Sequence, residues 1–530
     1  MSYPGFTNPD VIPYPGHAYV GTHPDHLATM AFLHGLDPAP PEHCRVLELG
    51  CGDGSNLIPM AYLFPQSEFV GIDLGTRPIA EGQAFALQLG LKNISLLNMD
   101  LMDFPLRFGH FDYIVAHGVY SWVPPVVRDK LLQVSGSVLS SKGVVYVSYN
   151  TYPGFHVRQM LREMLLFHVH SALDAETKIN QALALSSLLA DAFIKTDESD
   201  LYLKKEWEAV CKRSPGSLYH DELAEVNEAL YFHEFVEHAA RHRLQYLSEA
   251  EFYMMHDAGL PSHVREALRG LDDNPLLKEQ YLDFIRFRRF RQTLLCHEGI
   301  TLERHPGIER IRQLRAASPA NPQSAVVDPN SDSEETFRST NNATMICSHP
   351  VAKAAMLVLT KAWPCSLAFD ELLAGIRTQL AGFSLEEHAT LVGDILLAAY
   401  KLGVVDMHFI EPQFSVAAGE RPLASRLARL QAERGELVTN LQHLMVLISR
   451  EEERHLLKMM DGTRDRAELA CELRKFKCDE ANLEKSLEEL GRLALFHRHP
   501  GQRIPSRQDD RDHAFEQSMN AIDSSPSRFS

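Results

Sequence analysis

Apolar residues fall into short continuous runs in the first third of this chain and into helical spacings beyond it. Val46-Leu47-Glu48-Leu49, Glu68 to Leu74, Ile94 to Asp100 and Phe111 to His117 are near-continuous apolar stretches, the pattern of strands covered on both faces. Ser55 to Phe64 between the first two reads as a helix, with Pro59 about one turn in, where proline is tolerated. Pro124 and Pro125 open a helix running to about Leu139, and the Lys142-Gly143 turn leads to a fifth strand, Val144 to Tyr149. Such alternation predicts an α/β doubly wound sheet. Leu244 to Leu247 and Phe290 to Cys296 are candidates for strands six and seven, with Phe232 to His242 helical.

The same pattern divides the chain. Residues 1–42, rich in Pro, His and Tyr, form an arm with a short amphipathic helix, Pro24 to Leu33. The arm can cover a pocket or simply pack on the sheet. Residues 43–155 carry the first five strands. Residues 155 to 196 are strongly helical, more than a crossover requires, so 156–216 is expected to be a helical insertion whose apolar face serves a dimer or packs within the chain. Residues 217–314 complete the sheet. Residues 315–345, rich in Ser, Pro, Asn and Ala, read as a linker holding a hairpin, Thr336 to Arg338 with Ala343 to Ile346 about Asn341-Asn342. Residues 346–415 show helices followed by a strand, with Ala354, Leu357, Leu359, Leu372, Leu373 and Ile376 apolar. Residues 416–500 suggest a winged helix. Its elements would be helices at Leu441 to Ile448, Arg450 to Met459, Arg464 to Lys475 capped by Asp461-Gly462-Thr463, and Asn482 to Leu493, then a strand, Ala494 to Phe496. Residues 501–530 lack an apolar period and are expected to be disordered.

Composition narrows the function classes. With 530 residues, about three domains are expected. The 52 basic against 70 acidic side chains leave a formal charge of −18, which argues against non-specific nucleic-acid binding. Arg286, Arg288, Arg289 and Arg291 cluster, and are read as a solvated or carboxylate-paired face. The eight cysteines are scattered without a C-x-x-C pair, and Cys471 and Cys478 lack histidine partners at zinc-finger spacing. No metal cluster is apparent. Neither a signal peptide nor a bilayer-spanning apolar run is seen.

Chemistry concentrates at the strand ends. The first strand runs into Glu48-Leu49-Gly50-Cys51-Gly52-Asp53-Gly54, where glycines at every second position permit a sharp turn and a close ligand. A pyrophosphate cradle would read G-x-G-x-x-G, so this is another kind of nucleotide loop. Asp73 ends the second strand, where an acid can accept both ribose hydroxyls of an adenosine, or cap the next helix. Asp100, followed by Leu101, ends the third.

Glu48-Leu-Gly-Cys-Gly-Asp-Gly54 resembles motif I of the class I S-adenosylmethionine-dependent methyltransferases. His117-Gly-Val-Tyr-Ser-Trp-Val-Pro124, Val147-Ser-Tyr-Asn-Thr-Tyr-Pro-Gly154, Thr22-His-Pro24 and Tyr231-Phe-His-Glu-Phe235 are similar to a bacterial family with a methyltransferase regulatory domain. Its best-understood members are protein-lysine methyltransferases of outer-membrane proteins. The resemblance covers most of residues 10 to 497. It implies a Rossmann-like, seven-stranded core with a helical dimerisation insert, followed by smaller, mainly helical winged-helix-like domains. The implied protein is cytoplasmic, without a membrane span, acts on a protein substrate before its export and need not bind nucleic acid. It also implies S-adenosylmethionine as cofactor, held by Glu48, Gly50, Cys51, Gly52, Asp53, Asn56, Asp73, Leu74, Asp100, Leu101 and His117, with Asp100 at the adenine amino group. His117 can equally be a satisfied core histidine.

Methyl transfer from a sulfonium needs alignment and exclusion of water, and no metal. A lysine acceptor must lose a proton, which an aromatic, desolvated pocket favours. Tyr120, Trp122, Tyr149 and Tyr152, with Asn150 as a hydrogen-bonding partner, are the candidate catalytic residues; each ring can also be core packing. The Asn/Asp-Pro-Pro-aromatic tetrad of enzymes that methylate nucleobase amines is missing after the fourth strand. A small-molecule acceptor, or a non-catalytic cofactor-binding scaffold, remains the alternative.

Overall fold

A computed structural model describes residues 10–192, 198–380, 384–477 and 480–498. The tail expected at 501–530 lies outside them, as do Cys478 and the first nine residues.

The apolar runs become β1 (Arg45–Leu49), β2 (Glu68–Asp73), β3 (Ile94–Asn98), β4 (Phe111–Ala116) and β5 (Leu139–Asn150), joined by β6 (Leu244–Glu249) and β7 (Phe290–His297) in one seven-stranded sheet of order 3-2-1-4-5-7-6. The first five strands are parallel, and β7 is antiparallel to both neighbours. Val46 lies opposite Phe69 on one side and Tyr113 on the other. That register brings the carboxyl ends of β1, β2 and β4 to one edge, where the order reverses and an open α/β sheet binds its ligand. Strand β5 starts at Leu139, directly out of the preceding helix, five residues before the position expected.

Helix α1 (Pro24–Leu33) has the expected bounds but not the expected amphipathicity: all its residues except His26 are buried. The cause is a second layer. Asp25 accepts the N–H groups of Phe409 (2.8 Å) and Ile410 (2.9 Å) and pairs with His408 Nδ1 at 2.9 Å. The helix is thus clamped between the sheet and residues near 408, and one apolar core runs through all three.

Helices α2 (Leu57–Leu63), α3 (Thr76–Leu89) and α4 (Pro125–Val138) cover the sheet. The insertion comprises α5 (Phe155–Val169), α6 (Ala175–Ala192) and α7 (Glu198–Cys211). A short α8 (Pro215–Ser217) then runs into a π-helical turn, Leu218–Glu222, and α9 (Phe232–Ala240) follows. The arginine cluster divides: Arg288 and Arg291 pair with carboxylates inside the protein, Arg289 pairs with Glu206 while half exposed, and Arg286 donates to the Met254 and His256 carbonyls. Arg291 is 1 % exposed and donates to Glu249 (2.5 Å), Glu279 (2.9 Å) and Asp283 (2.8 Å).

Three expectations past residue 314 are corrected. The stretch read as a linker is built in: Arg315–Ala317 is the central strand between Leu367–Ala368 and Asp406–His408. The predicted hairpin forms, Glu335–Arg338 with Thr344–Cys347, and gains a third strand at Asn321–Pro322. Leu441 to Ile448 is not a helix; Leu437–Thr439 and Met445–Leu447 pair as a hairpin, because Asn440 folds its turn by accepting from the Gln442 and Leu444 N–H groups. Asp465 rather than Asp461 caps the helix Arg466–Leu473, in a reciprocal capping box with Glu468. No helix among the described residues is long and apolar enough to cross a membrane.

Candidate active site

Beyond β1 the backbone adopts left-handed conformations at Gly50, Gly52 and Gly54. At Gly50, with φ of 78°, a side chain would strain the backbone and strike Val119, whose methyl would lie 2.4 Å from the added carbon. Strand β2 holds the loop: the Gly50 and Cys51 N–H groups donate to the Ile72 carbonyl (2.9 and 3.0 Å), and Asp73 Oδ2 accepts from Gly52 N–H (2.9 Å). Asp73 Oδ1 accepts from Gly75 N–H at 2.7 Å, so this acid turns the chain into the following helix, whose N-cap is Gly75 without a side-chain cap, and lines the crevice. Burial raises its pKa, and the two N–H bonds offset part of that.

Asn56 is the hub behind the loop. Its amide donates to Glu48 Oε1 (2.8 Å) and Thr22 Oγ1 (2.9 Å). Its carbonyl oxygen accepts from Tyr19 N–H (2.9 Å) and from His443 Nε2 (2.9 Å), a residue of the C-terminal hairpin. Glu48 is 3 % exposed, and its second oxygen, Oε2, is buried without a partner. Burial pushes the carboxyl up to about 8.

Glu48, Gly50, Cys51, Gly52, Asp53, Asn56, Asp73, Leu74, Asp100, Leu101 and His117 all line one cavity of 640 Å³. Asp53 turns the loop by accepting Ser55 N–H (2.9 Å), and Asp100 caps the turn Leu101–Asp103 through Met102 N–H (2.9 Å). His117 is stacked 3.7 Å from the Tyr19 ring and bonded to the Tyr146 hydroxyl (2.9 Å). Burial lowers its pKa to about 3, so the ring is neutral.

Of the residues expected at the acceptor, Trp122 and Asn150 line the cavity, Trp122 with its buried Nε1 unpartnered and Asn150 bonded to Asn227 Oδ1 (2.7 Å). The three tyrosines do not line it. Tyr120 points into the core between Tyr149 and Phe235, its hydroxyl bonded to His238. Tyr149 stacks on Phe235 and bonds Thr293 (3.0 Å). The strand's pleat turns it to the opposite face from Ser148 and Asn150. Tyr152 stacks on His156, outside the cavity wall.

The rest of the cavity comes from residues that the sequence did not single out. The arm contributes Tyr14, His17 and Tyr19; the insertion and the π-helical turn contribute Arg158, Glu206, Arg213, Asp221 and Glu222. Glu222 Oε1 accepts from Arg158 and forms an ion pair with Arg213 Nε at 3.0 Å, whereas Oε2 is buried and unpartnered. Asp221 pairs with Arg213 at 2.5 Å, and burial raises it to about 6. Arg289 clasps Glu206 at 3.1 Å. A π-helical turn is a common mark of a functional site, but it leaves no readable residue pattern.

These walls fit S-adenosylmethionine. A glycine loop without a phosphate cradle, an acid at the end of β2 and an unpartnered buried carboxylate oxygen suit an adenosine carrying an amino-acid ammonium. Comparison with known proteins agrees. Residues 46–143 match the family model of a methyltransferase domain, 214–297 that of a predicted methyltransferase regulatory domain, and 420–495 that of a PKMT C-terminal winged helix domain. The uncharacterized protein RP789 of Rickettsia prowazekii is 34% identical over 468 residues, which cover 86% of this chain and 84% of RP789. The uncharacterized protein RP028 of the same organism is 35% identical over 44% of this chain and 93% of its own length. The structure of PKMT2 from Rickettsia typhi in complex with AdoHcy superposes with a TM-score of 0.83 at 27% identity, covering 91% of this chain and all of that one. The chain therefore belongs to the family of RP789, and is an S-adenosylmethionine-dependent methyltransferase that couples its catalytic sheet to a methyltransferase regulatory domain and a C-terminal winged helix.

Proposed function

We propose that the methyl acceptor is a lysine side chain of a protein. The observation that carries this reading is the second half of the cavity, continuous with the cofactor loop and lined by Glu222, whose Oε2 is buried without a hydrogen-bond partner. A small anionic acceptor would need a free guanidinium there, yet Arg158, Arg213 and Arg289 are each held by Glu206, Asp221 or Glu222. A cationic amine suits what is left. The likeness to PKMT2 supports the same reading.

On this proposal Glu48 and Asn56 receive the amino-acid end of the cofactor, Asp73 the ribose, and Asp100 and Leu101 the adenine. When bound, the cofactor supplies a sulfonium methyl for in-line displacement. The protein aligns the acceptor against it: Trp122 and Phe290 wall off water, and Glu222 draws the ammonium in. Asp221, at about 6, has a basicity suited to accepting the amine's proton at neutral pH. A dimer contact is proposed on the insertion, where Met160, Met164 and Phe167 line one exposed helical stripe.

Incubation with methyl-labelled cofactor and bacterial lysate tests the acceptor. Label recovered as methyl-lysine in protein bands, and lost with Asp73→Ala, is the expected result. Label confined to small molecules would overturn the lysine reading while leaving the cofactor site intact.

A further inference from the structure

We propose that Asp129, His238 and His242 form a binding site for a divalent transition-metal ion of the zinc class, on the far side of Tyr120 from the cavity. The two histidines sit at i and i+4, in the last turn of α9 and just beyond it, so both imidazoles emerge on one face. Asp129 approaches that face from α4. Its Oδ1 lies 3.2 Å from His238 Nε2 and 2.8 Å from His242 Nε2, and the three ligand atoms fall within 4.8 Å of one another. Two ligands on one tetrahedral zinc, each about 2.0–2.1 Å from it, are themselves about 3.3 Å apart. The side chains thus already stand near the spacing that an ion requires.

An ordinary hydrogen-bonded Asp–His pair would account for one of these contacts. It does not call for two imidazoles converging through the same nitrogen type on a single oxygen. The outer shell adds a second, independent observation. His238 Nδ1 lies 2.6 Å from the Tyr120 hydroxyl, and Tyr120 is 1 % exposed. A ligating histidine characteristically engages a fixed partner through its other ring nitrogen, which sets tautomer and ring orientation. Of the nearby cations, Arg128, stacked on Tyr120, is drawn away to Glu228 at 2.7 Å, which leaves Arg241 as the positive charge bearing on His238. Asp129 is about half exposed, so a fourth position is open to water.

The ion would not touch substrate. Tyr120 belongs to the turn Tyr120–Trp122, and its neighbours Val119 and Trp122 line the cavity. An ion fixing His238 would brace that wall from behind.

The test uses the full chain, stripped with a chelator and titrated with Co²⁺, whose tetrahedral complexes absorb visible light. Wild type should take up one equivalent, develop that absorption, lose it to Zn²⁺, and gain thermal stability with Zn²⁺. His242→Ala and Asp129→Asn should bind at least tenfold more weakly and lose the thermal gain. Affinity for S-adenosylhomocysteine in chelator should equal wild type in both, which shows that they fold. Absence of visible absorption in wild type, or a Zn²⁺ shift retained in His242→Ala, would overturn the proposal.

Discussion

Glu48→Gln should make the protein more stable and worse at binding its cofactor. In the unfolded chain this carboxyl ionises at 4.5, and burial lifts it to about 8 in the fold. Between those values the folded state holds a proton that the unfolded state has released, so stability falls as pH rises through that window. At roughly 1.4 kcal/mol for each pH step, the loss is about 3 kcal/mol at pH 7 and about 5 kcal/mol above pH 8. Glutamine keeps the bond from Asn56 to Oε1 and places an uncharged amide where Oε2 now stands without a partner, so the penalty vanishes. On the proposed reading the variant also loses the partner of the cofactor's ammonium. A charge-assisted bond of about 1.5–3 kcal/mol corresponds to roughly a ten- to hundredfold weaker complex. Thermal unfolding from pH 5 to 9 and calorimetry with S-adenosylhomocysteine measure the two effects. Melting curves that fall in parallel for both proteins would refute the buried-acid argument; unchanged affinity would refute the assignment of Glu48 to the cofactor.

Other changes probe how the pocket is held. His443→Ala removes the bond to Asn56 Oδ1 but leaves Tyr19 N–H on that oxygen, so cofactor affinity should fall by about 1 kcal/mol, near fivefold; equal calorimetric affinity would show the hub to be rigid without it. Gly82→Ala would set a methyl 2.1 Å from the Asp53 carbonyl oxygen, and the displaced loop should cost about 1–3 kcal/mol in chemical denaturation, with weaker cofactor binding. Arg291→Met leaves Glu249, Glu279 and Asp283 buried without their cation; a loss of about 3–5 kcal/mol is expected by thermal unfolding, and a wild-type melting temperature would contradict it.

The cofactor half was legible because its chemistry is local. A glycine loop must follow β1, and acids must sit at strand ends, so Glu48, Asp73 and Asp100 announce themselves in a linear reading. The acceptor half is assembled from distant segments. Tyr14, Glu206 and Glu222 meet only when the arm and insertion fold over the sheet, and none sits in a motif. Aromatic content misled at Tyr120 and Tyr149, since a ring near a strand end can face either side: the pleat of β5 turns Tyr149 inward, and the turn Tyr120–Trp122 does the same for Tyr120. Asp129 and His238 are 109 residues apart, so a search for ligand spacing could not pair them. The supposed linker failed for a related reason: Arg315–Ala317 is too short to show a strand pattern, and its partners, Leu367–Ala368 and Asp406–His408, lie far onward in the chain.

The bond between Asn56 and His443 spans 387 positions of sequence, and that between Asp25 and Phe409 spans 384. A ribosome adding roughly 5–20 residues per second needs about 20–80 s to cover that distance. Throughout that interval the glycine loop exists but its rear wall does not. Nascent chains and premature termination products that stop short of His443 therefore lack the contact that holds Asn56 from behind.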